Sequence, residues 1–149
     1  MCSSDLFLLV HALIYRLPHA REVGLPIVDL GCGTGAAGLA WAAAGPGRRA
    51  VTGVDVNPWA LQEAAAAYRC FDMQGRTVRA SIPGLAWPRE RSAFVAAFAV
   101  NELSDGDRAL LLPRLLERAA AGEPFLVVEP LAKGVAPWWG RWQIGRAHV

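Results

Sequence analysis

The fold of this chain is indicated above all by the stretch IVDLGCGTGAAGLA, residues 27–40. A short apolar segment rich in β-branched residues leads into three glycines at alternate positions, and an alanine-rich segment follows. β-Branched residues favour a strand, whereas alanine favours a helix. Glycines between the two allow a tight turn and a close approach of the backbone to a ligand. The stretch therefore predicts a strand–turn–helix unit with a binding site at the turn.

The same alternation of strands and helices continues along the chain. Helices are predicted at 7–16, 36–44, 58–71 and 108–121, and strands at 27–30, 50–54, 76–80, 94–100 and 125–128. Asn57 and Ser104 or Asp105 are the expected N-caps of the third and fourth helices. Strands that alternate with helices usually pair in parallel, with helices on both faces of the sheet. We therefore predict one α/β domain with a mostly parallel sheet.

Composition excludes several classes of protein. The formal net charge of +2 is too small to indicate nucleic-acid binding by electrostatics alone. The apolar run at 7–17 is too short to span a bilayer, and it lacks the features of a secretory signal, so we expect no membrane association. The three cysteines show no paired spacing, which indicates neither a disulfide framework nor a metal site. We therefore predict a cytoplasmic location.

The two ends of the chain have an unusual relation. One codon choice for residues 144–149 is ATC GGA AGA GCA CAC GTC, and its reverse complement encodes the opening Met-Cys-Ser-Ser-Asp when GTG is the start codon. These bases resemble a sequencing adapter. We therefore expect residues 1–6 and 144–149 to be adapter-derived, with one domain at 7–143 in a truncated chain. Genomic DNA that runs continuously through both junctions would contradict this hypothesis.

Three ligand classes are considered for the glycine turn. A phosphate-binding P-loop requires a lysine and a hydroxyl residue after the glycines, and the chain has alanines there. A dinucleotide fingerprint is compatible with the spacing, because Gly31 and Gly33 are followed by Ala36 and Asp55 lies where a ribose-binding acid belongs. An adenosine cofactor without a pyrophosphate is equally compatible. Spacing alone leaves the last two alternatives open.

Asp29 favours the cofactor without phosphate. This carboxylate lies at the end of the first predicted strand, beside the turn. A dinucleotide places its anionic pyrophosphate at the following helix N-terminus, where a nearby carboxylate would repel it. S-Adenosyl-L-methionine has a cationic sulfonium and amino group instead, which a carboxylate favours directly or through backbone and water. The turn is therefore predicted to hold S-adenosyl-L-methionine.

VDLGCGTG followed by GVDVNPWAL is similar to motifs one and two of the class I S-adenosylmethionine-dependent methyltransferases. The resemblance covers about residues 26–130. It implies a Rossmann-like three-layer α/β/α sandwich whose sheet has seven strands, the last two forming a hairpin beside the fifth. Only five strands are readable here, so we expect the C-terminal hairpin to be missing from this chain.

The resemblance also implies cofactor-binding positions near the ends of the first four strands: Asp29, Gly31, Cys32, Gly33, Asp55, Val56, Ser81, Ile82 and Asn101. In the family, the turn contacts the cofactor through its backbone. Asp55 would accept both ribose hydroxyls, and Val56 would pack on the adenine. Ser81 and Ile82 replace an aspartate that many members carry near the adenine. Asn101 would face the methionine end.

Glu102 is the candidate for acid–base chemistry. Methyl transfer is an in-line displacement from an activated donor, so the enzyme mainly aligns the acceptor and excludes water. A general base is needed only if the acceptor must lose a proton. Glu102 follows the fourth predicted strand and can serve as that base or cap the next segment. The Asp/Asn-Pro-Pro-aromatic motif of many amino-group methyltransferases is absent here, which argues against nucleobase or glutamine-amide acceptors, and we expect a small-molecule acceptor.

A second resemblance gives an alternative function. The segment FAVNELSDGDRALLLPRLLERA, followed by FLVVEP, is similar to methyltransferase-like proteins associated with the small ribosomal subunit. That family has Asn-Glu-Leu and Val-Glu-Pro at like places. The resemblance implies ribosomal RNA or the ribosome as a partner. A protein that binds adenosylmethionine without catalysis is the remaining alternative.

Overall fold

Five parallel strands form one sheet at the centre of the domain: β1 (Ile27–Leu30), β2 (Ala50–Asp55), β3 (Gln74–Arg79), β4 (Ala93–Ala97) and β5 (Phe125–Val128). The computed structural model describes residues 3–47, 49–130 and 137–142. The strand order is β3-β2-β1-β4-β5, so the chain leaves β1 in one direction and later returns to its other side. The carboxyl ends of β1, β2 and β4 therefore meet at one edge, where ligands of such sheets bind.

Within the described residues, six helices accompany the sheet: α1 (Ser3–Tyr15), α2 (Pro18–Glu22), α3 (Ala36–Ala44), α4 (Pro58–Cys70), α5 (Asp105–Ala120) and α6 (Trp139–Trp142). Side chains alternate between the two faces of each strand. Ile27 accordingly packs with α1, α3 and α4 in one core cluster, whereas Val28 packs with α5 and Trp138 in the other. The predicted α/β/α sandwich with a parallel sheet is confirmed.

The predicted helix caps agree with the structure. The Asn57 side-chain oxygen accepts hydrogen bonds from the amides of Trp59 (3.0 Å) and Ala60 (3.4 Å), so it caps α4. The Ser104 hydroxyl accepts the amide of Asp107 at 3.1 Å and caps α5. Of the two predicted alternatives for this helix, Ser104 is therefore the N-cap.

Several elements differ from the prediction. Strand β4 ends at Ala97 instead of Val100, because Phe98 has a φ of +55° and a 3₁₀ turn follows at Val100–Glu102. Strand β3 begins two residues early, at Gln74. Helix α2 was not predicted, although Pro18 occupies its first turn, a position that proline tolerates.

The predicted ends of the chain are only partly described. Helix α1 begins at Ser3 and so includes part of the segment expected to be adapter-derived, whereas residues 144–149 lie outside the described residues. The C-terminal hairpin was expected to be missing, and among the described residues β5 is the last strand at its side of the sheet. Among the described helices, none is long and apolar enough to cross a membrane.

Candidate functional site

A cleft of about 430 Å³ opens at the carboxyl edge of the sheet. Its wall includes most of the residues predicted for the cofactor site: Gly31, Cys32, Gly33, Asp55, Val56, Ser81 and Ile82. Ala99, Glu102 and Leu103, which follow β4, complete it on the other side. Ser3 and Leu6 also line the cleft. Because both belong to the segment expected to be adapter-derived, we assign the site to the other residues.

The glycine turn after β1 has a conformation that other residues rarely adopt. Gly31, Gly33 and Gly35 have φ values of +65°, +52° and +89°, which lie in the left-handed region that glycine enters without a steric penalty. A Cβ atom on Gly31 would lie 2.6 Å from the Cβ of Ala99, whereas one on Gly33 would meet nothing within 4 Å. Gly31 thus lets the turn pack against the segment after β4, and Gly33 leaves its backbone open to a ligand.

Asp55 joins this turn to the start of α4. One carboxylate oxygen accepts the amide of Gly33 at 2.9 Å, and the other accepts the amide of Asn57 at 2.9 Å. Each carboxylate oxygen can accept more than one hydrogen bond, so both retain acceptor capacity. The next residue, Val56, is 59% exposed beside it. The structure therefore presents a carboxylate and an apolar surface side by side in the cleft.

Asp29 lies beneath the turn instead of in the cleft wall. Its side chain is buried, and Oδ2 accepts the amide of Gly38 at 2.9 Å, in the first turns of α3. A Cβ on Gly38 would come within 3.0 Å of Asp29, so the small residue permits this contact. Burial raises the pKa of Asp29 to about 7, because the charged carboxylate loses its hydration. The Asp29 carboxylate faces α3, so it does not line the cleft.

The predicted adenine-side residues lie in the cleft wall. Ser81 is exposed, and its hydroxyl accepts the amide of Gly84 at 3.1 Å, which turns the chain after β3. Ile82 is buried and packs with Val54 in the second core cluster. Cys32 is also buried, and burial raises the pKa of its thiol, which keeps it protonated. The structure thus places Cys32 as a small, buried residue of the turn.

Asn101 and Glu102 point in different directions from the 3₁₀ turn after β4. The Asn101 side-chain oxygen accepts the indole N–H of Trp138 at 3.1 Å, so this residue does not line the cleft as predicted. Glu102 is exposed in the cleft wall. Among the described residues, no hydrogen bond or ion pair engages its carboxylate. Of the two residues, Glu102 is the one available to a bound molecule.

Sequence reasoning missed two residues that hold this turn. The buried Glu129 accepts the amides of Val100 (2.9 Å) and Asn101 (3.1 Å). Arg108 of α5 donates to the carbonyl groups of the same two residues. A glutamate directly after a short apolar strand was visible in the sequence, but its partners lie 28 and 29 residues away along the chain.

A family model described as a methyltransferase domain matches residues 27–121, more than half of the chain. The chain belongs to the methyltransferase domain family. The matched segment runs from β1 to the end of α5, so it includes the glycine turn, Asp55 and Glu102. The predicted class I domain with its adenosylmethionine cofactor is confirmed at the level of the family, and the match does not single out the ribosome-associated group.

Solved structures of methyltransferases share this fold. An S-adenosylmethionine-dependent methyltransferase from Clostridium acetobutylicum is 18% identical with a TM-score of 0.59, over 77% of this chain and 46% of that protein. A tRNA (uracil-54, C5)-methyltransferase from Pyrococcus abyssi, in complex with S-adenosyl-L-homocysteine, is 20% identical with a TM-score of 0.53 (74% and 26%). A glycopeptide N-methyltransferase, also with S-adenosyl-L-homocysteine, is 21% identical with a TM-score of 0.59 (76% and 46%).

The chain spans about half or less of the length of each of these proteins. The likeness therefore concerns the domain described above and not the remaining parts of those enzymes. A comparison with curated protein sequences gave no significant match.

Proposed function

We propose that the cleft binds S-adenosyl-L-methionine and that the domain transfers the methyl group to an acceptor by in-line displacement. The observation that carries this proposal is the hydrogen bond from the Gly33 amide to Asp55, which places an open glycine backbone and a carboxylate together in the cleft of a methyltransferase domain. When bound, the cofactor supplies a methyl group on a positively charged sulfur, which is already activated for transfer. The protein must then orient the two reactants and exclude water.

The residues present fit this cofactor. Asp55 has free acceptor capacity for the ribose hydroxyls, and the open space at Gly33 allows the backbone to approach the ligand closely. Val56, Ser81 and Ile82 form the wall that we assign to the adenine. Asp29 acts indirectly in this assignment, since its contact with the Gly38 amide fixes α3 below the turn.

Glu102 is proposed as the residue that receives or orients the acceptor proton. Its carboxylate lies in the cleft wall without a hydrogen bond or ion pair from the described residues. A carboxylate in such a place can accept a hydrogen bond from an acceptor amine or hydroxyl. An acceptor that is already a neutral nucleophile needs orientation only, and Glu102 then serves that role.

The acceptor is inferred from the sequence and not from the relatives, which include enzymes named for a tRNA uracil and for a glycopeptide. We infer a small-molecule acceptor, because the motif of many amino-group methyltransferases is absent after β4. The cytoplasmic location stays a prediction.

Ligand-dependent unfolding tests the proposal. A ligand that binds only the folded state raises the midpoint of thermal unfolding. We expect S-adenosyl-L-methionine and S-adenosyl-L-homocysteine to raise the midpoint of the chain, and NAD to leave it unchanged. Asp55→Asn should weaken this effect, since it removes the charge and one acceptor oxygen. Glu63→Gln is the matched control, because Glu63 is exposed on α4, away from the cleft. A rise with NAD alone would overturn the proposal.

A further inference from the structure

Two buried glutamates flank β5, one at each end. Glu123 precedes the strand and its carboxylate accepts the amide of Ser92 at 2.8 Å, just before β4. Glu129 follows the strand and accepts the amides of Val100 and Asn101, just after β4. Both side chains therefore fasten the end of one strand to the backbone flanking its neighbour. Only the second contact lies at the edge of the sheet that carries the cleft.

The turn after β4 is held from two sides. Glu129 accepts its amides, and Arg108 donates one guanidinium nitrogen to the carbonyl groups of Val100, Asn101 and Leu103. The Glu129 carboxylate thus binds the N–H groups of this short segment, and the Arg108 guanidinium binds its carbonyl groups. Charged partners make the stronger hydrogen bonds of proteins.

A third side chain completes the arrangement. Trp138 is buried, and its indole N–H donates to the side chain of Asn101. The guanidinium of Arg108 lies 5.4 Å from the centre of the Trp138 ring, within the range of a cation–π contact. Three parts of the chain therefore converge on the turn: the end of β5, the start of α5, which closely follows the turn, and the segment around α6.

Stability is a poor explanation for Glu129. A buried carboxylate loses its hydration, and the second oxygen of Glu129 has no hydrogen-bond partner among the described residues. Burial accordingly raises the pKa of Glu129. A buried carboxylate that lowers stability can be retained because it fixes the conformation of a neighbouring segment, a role seen for buried polar groups in other proteins.

We propose that Glu129 is a positioning residue of the site, which fixes the turn after β4 so that Ala99, Glu102 and Leu103 form one wall of the cleft. The inference rests on the proposed function insofar as the cleft holds the adenosylmethionine cofactor. In this proposal, a residue at the end of β5 affects ligand binding through its contacts with the backbone of the turn after β4.

Two measurements on the full chain test this role. The first is amide hydrogen exchange at residues 99–103, and the second is the affinity for S-adenosyl-L-homocysteine by calorimetry. Glu129→Ala removes the acceptor of two amides, so exchange at Val100 and Asn101 should accelerate by about tenfold or more and affinity should fall by about tenfold. Glu129→Gln retains an acceptor oxygen and should keep affinity within about threefold of the unmodified chain.

Glu123→Ala is the control, because it removes the other buried carboxylate at the opposite end of β5, which accepts the Ser92 amide and pairs with Arg118 at 3.4 Å. It should accelerate exchange at Ser92 and leave affinity within about twofold. If Glu129→Ala does not fold, Arg108→Gln tests the same wall from its carbonyl side, and affinity should again fall by about fivefold.

The outcomes separate the two proposals. Equal affinities of the Glu129→Ala and Glu123→Ala chains, or a loss in Glu129→Gln as large as that in Glu129→Ala, would overturn the positioning role. Failure of the unmodified chain to bind would instead overturn the proposed function. Hydrogen exchange at Val100 and Asn101 would still report whether Glu129 holds the turn.

Discussion

The two sides of the cleft are held in place by different means. On the side of β1 and β2, the wall is a backbone structure, because glycines in left-handed conformations form the turn and one carboxylate, Asp55, fastens it. On the side of β4 and β5, the wall is an ordinary turn that Glu129 and Arg108 hold through their side chains. The first side therefore depends on which residues tolerate its backbone, and the second depends on contacts between distant elements.

Gly31→Ala should have the largest effect, because the first side meets the second at this residue. The new Cβ would lie 2.6 Å from that of Ala99, and its φ of +65° is unfavourable for alanine. We expect a loss of about 4 kcal/mol in the free energy of unfolding, measured with urea.

Gly47→Ala is the control, since its φ is +71° but its Cβ would meet nothing within 4 Å. It should lose only about 1 kcal/mol, the cost of the backbone conformation alone. Equal losses in the two variants would show that the contact with Ala99 contributes nothing.

Asp29→Asn should have the next largest effect, and the effect should depend on pH. The pKa of Asp29 is raised to about 7 in the folded chain from an ordinary value of 3.8. A pKa that is raised on folding stabilises the folded state at pH values below the pKa of the unfolded chain. This contribution is lost as the pH rises to the pKa of the folded chain. Unfolding free energy should therefore fall between about pH 4 and pH 7 in the unmodified chain, by up to about 4 kcal/mol more than in the variant. Parallel pH profiles of the two chains would contradict this assignment.

Trp138→Phe is expected to have a smaller effect, confined to the second side. Phenylalanine keeps an aromatic ring but removes the N–H that donates to Asn101. We expect a loss of about 1 kcal/mol in unfolding free energy and faster amide exchange at residues 100–103. Exchange at residues 31–35 should not change. Acceleration there would show that the two sides do not behave separately.

Ser3→Ala should have the smallest effect. The Ser3 hydroxyl lies 2.8 Å from that of Thr34 at an exposed position beside the glycine turn. Because residues 1–6 are expected to be adapter-derived, we predict no change in affinity for S-adenosyl-L-homocysteine and less than about 0.5 kcal/mol in stability. A clear loss of affinity would show that Ser3 belongs to the site.

The first side of the cleft could be predicted from the sequence because its determinants belong to recognisable motifs. The glycine turn follows one predicted strand and Asp55 ends the next, 22 residues after Gly33, and Asn57 indicates the start of α4 directly. The sequence placed Asp29 at the correct strand end, but it did not predict which way its side chain points. A carboxylate at a strand end can face the ligand or the next helix, and here it accepts a hydrogen bond from the Gly38 amide of α3.

The second side could not be predicted because its determinants are tertiary. Strand β4 ends where Phe98 adopts a left-handed conformation, and a phenylalanine side chain does not indicate such a conformation. The partner of Asn101 is Trp138, which lies 37 residues away in sequence. Glu129 could be recognised as unusual only once β5 was known to lie beside β4. Parallel pairing brings these positions together, and no spacing along the chain encodes it.

The close approach of Gly31 to Ala99 has an evolutionary consequence. The space between the two residues holds the Cβ of Ala99 and has no room for a second Cβ on Gly31. Descendants of this sequence cannot gain a side chain at position 31 while alanine stays at 99 without separating β1 from the segment after β4. Alignments of close homologues should therefore show a small residue at 99 wherever glycine is kept at 31, and substitutions at the two positions should occur together.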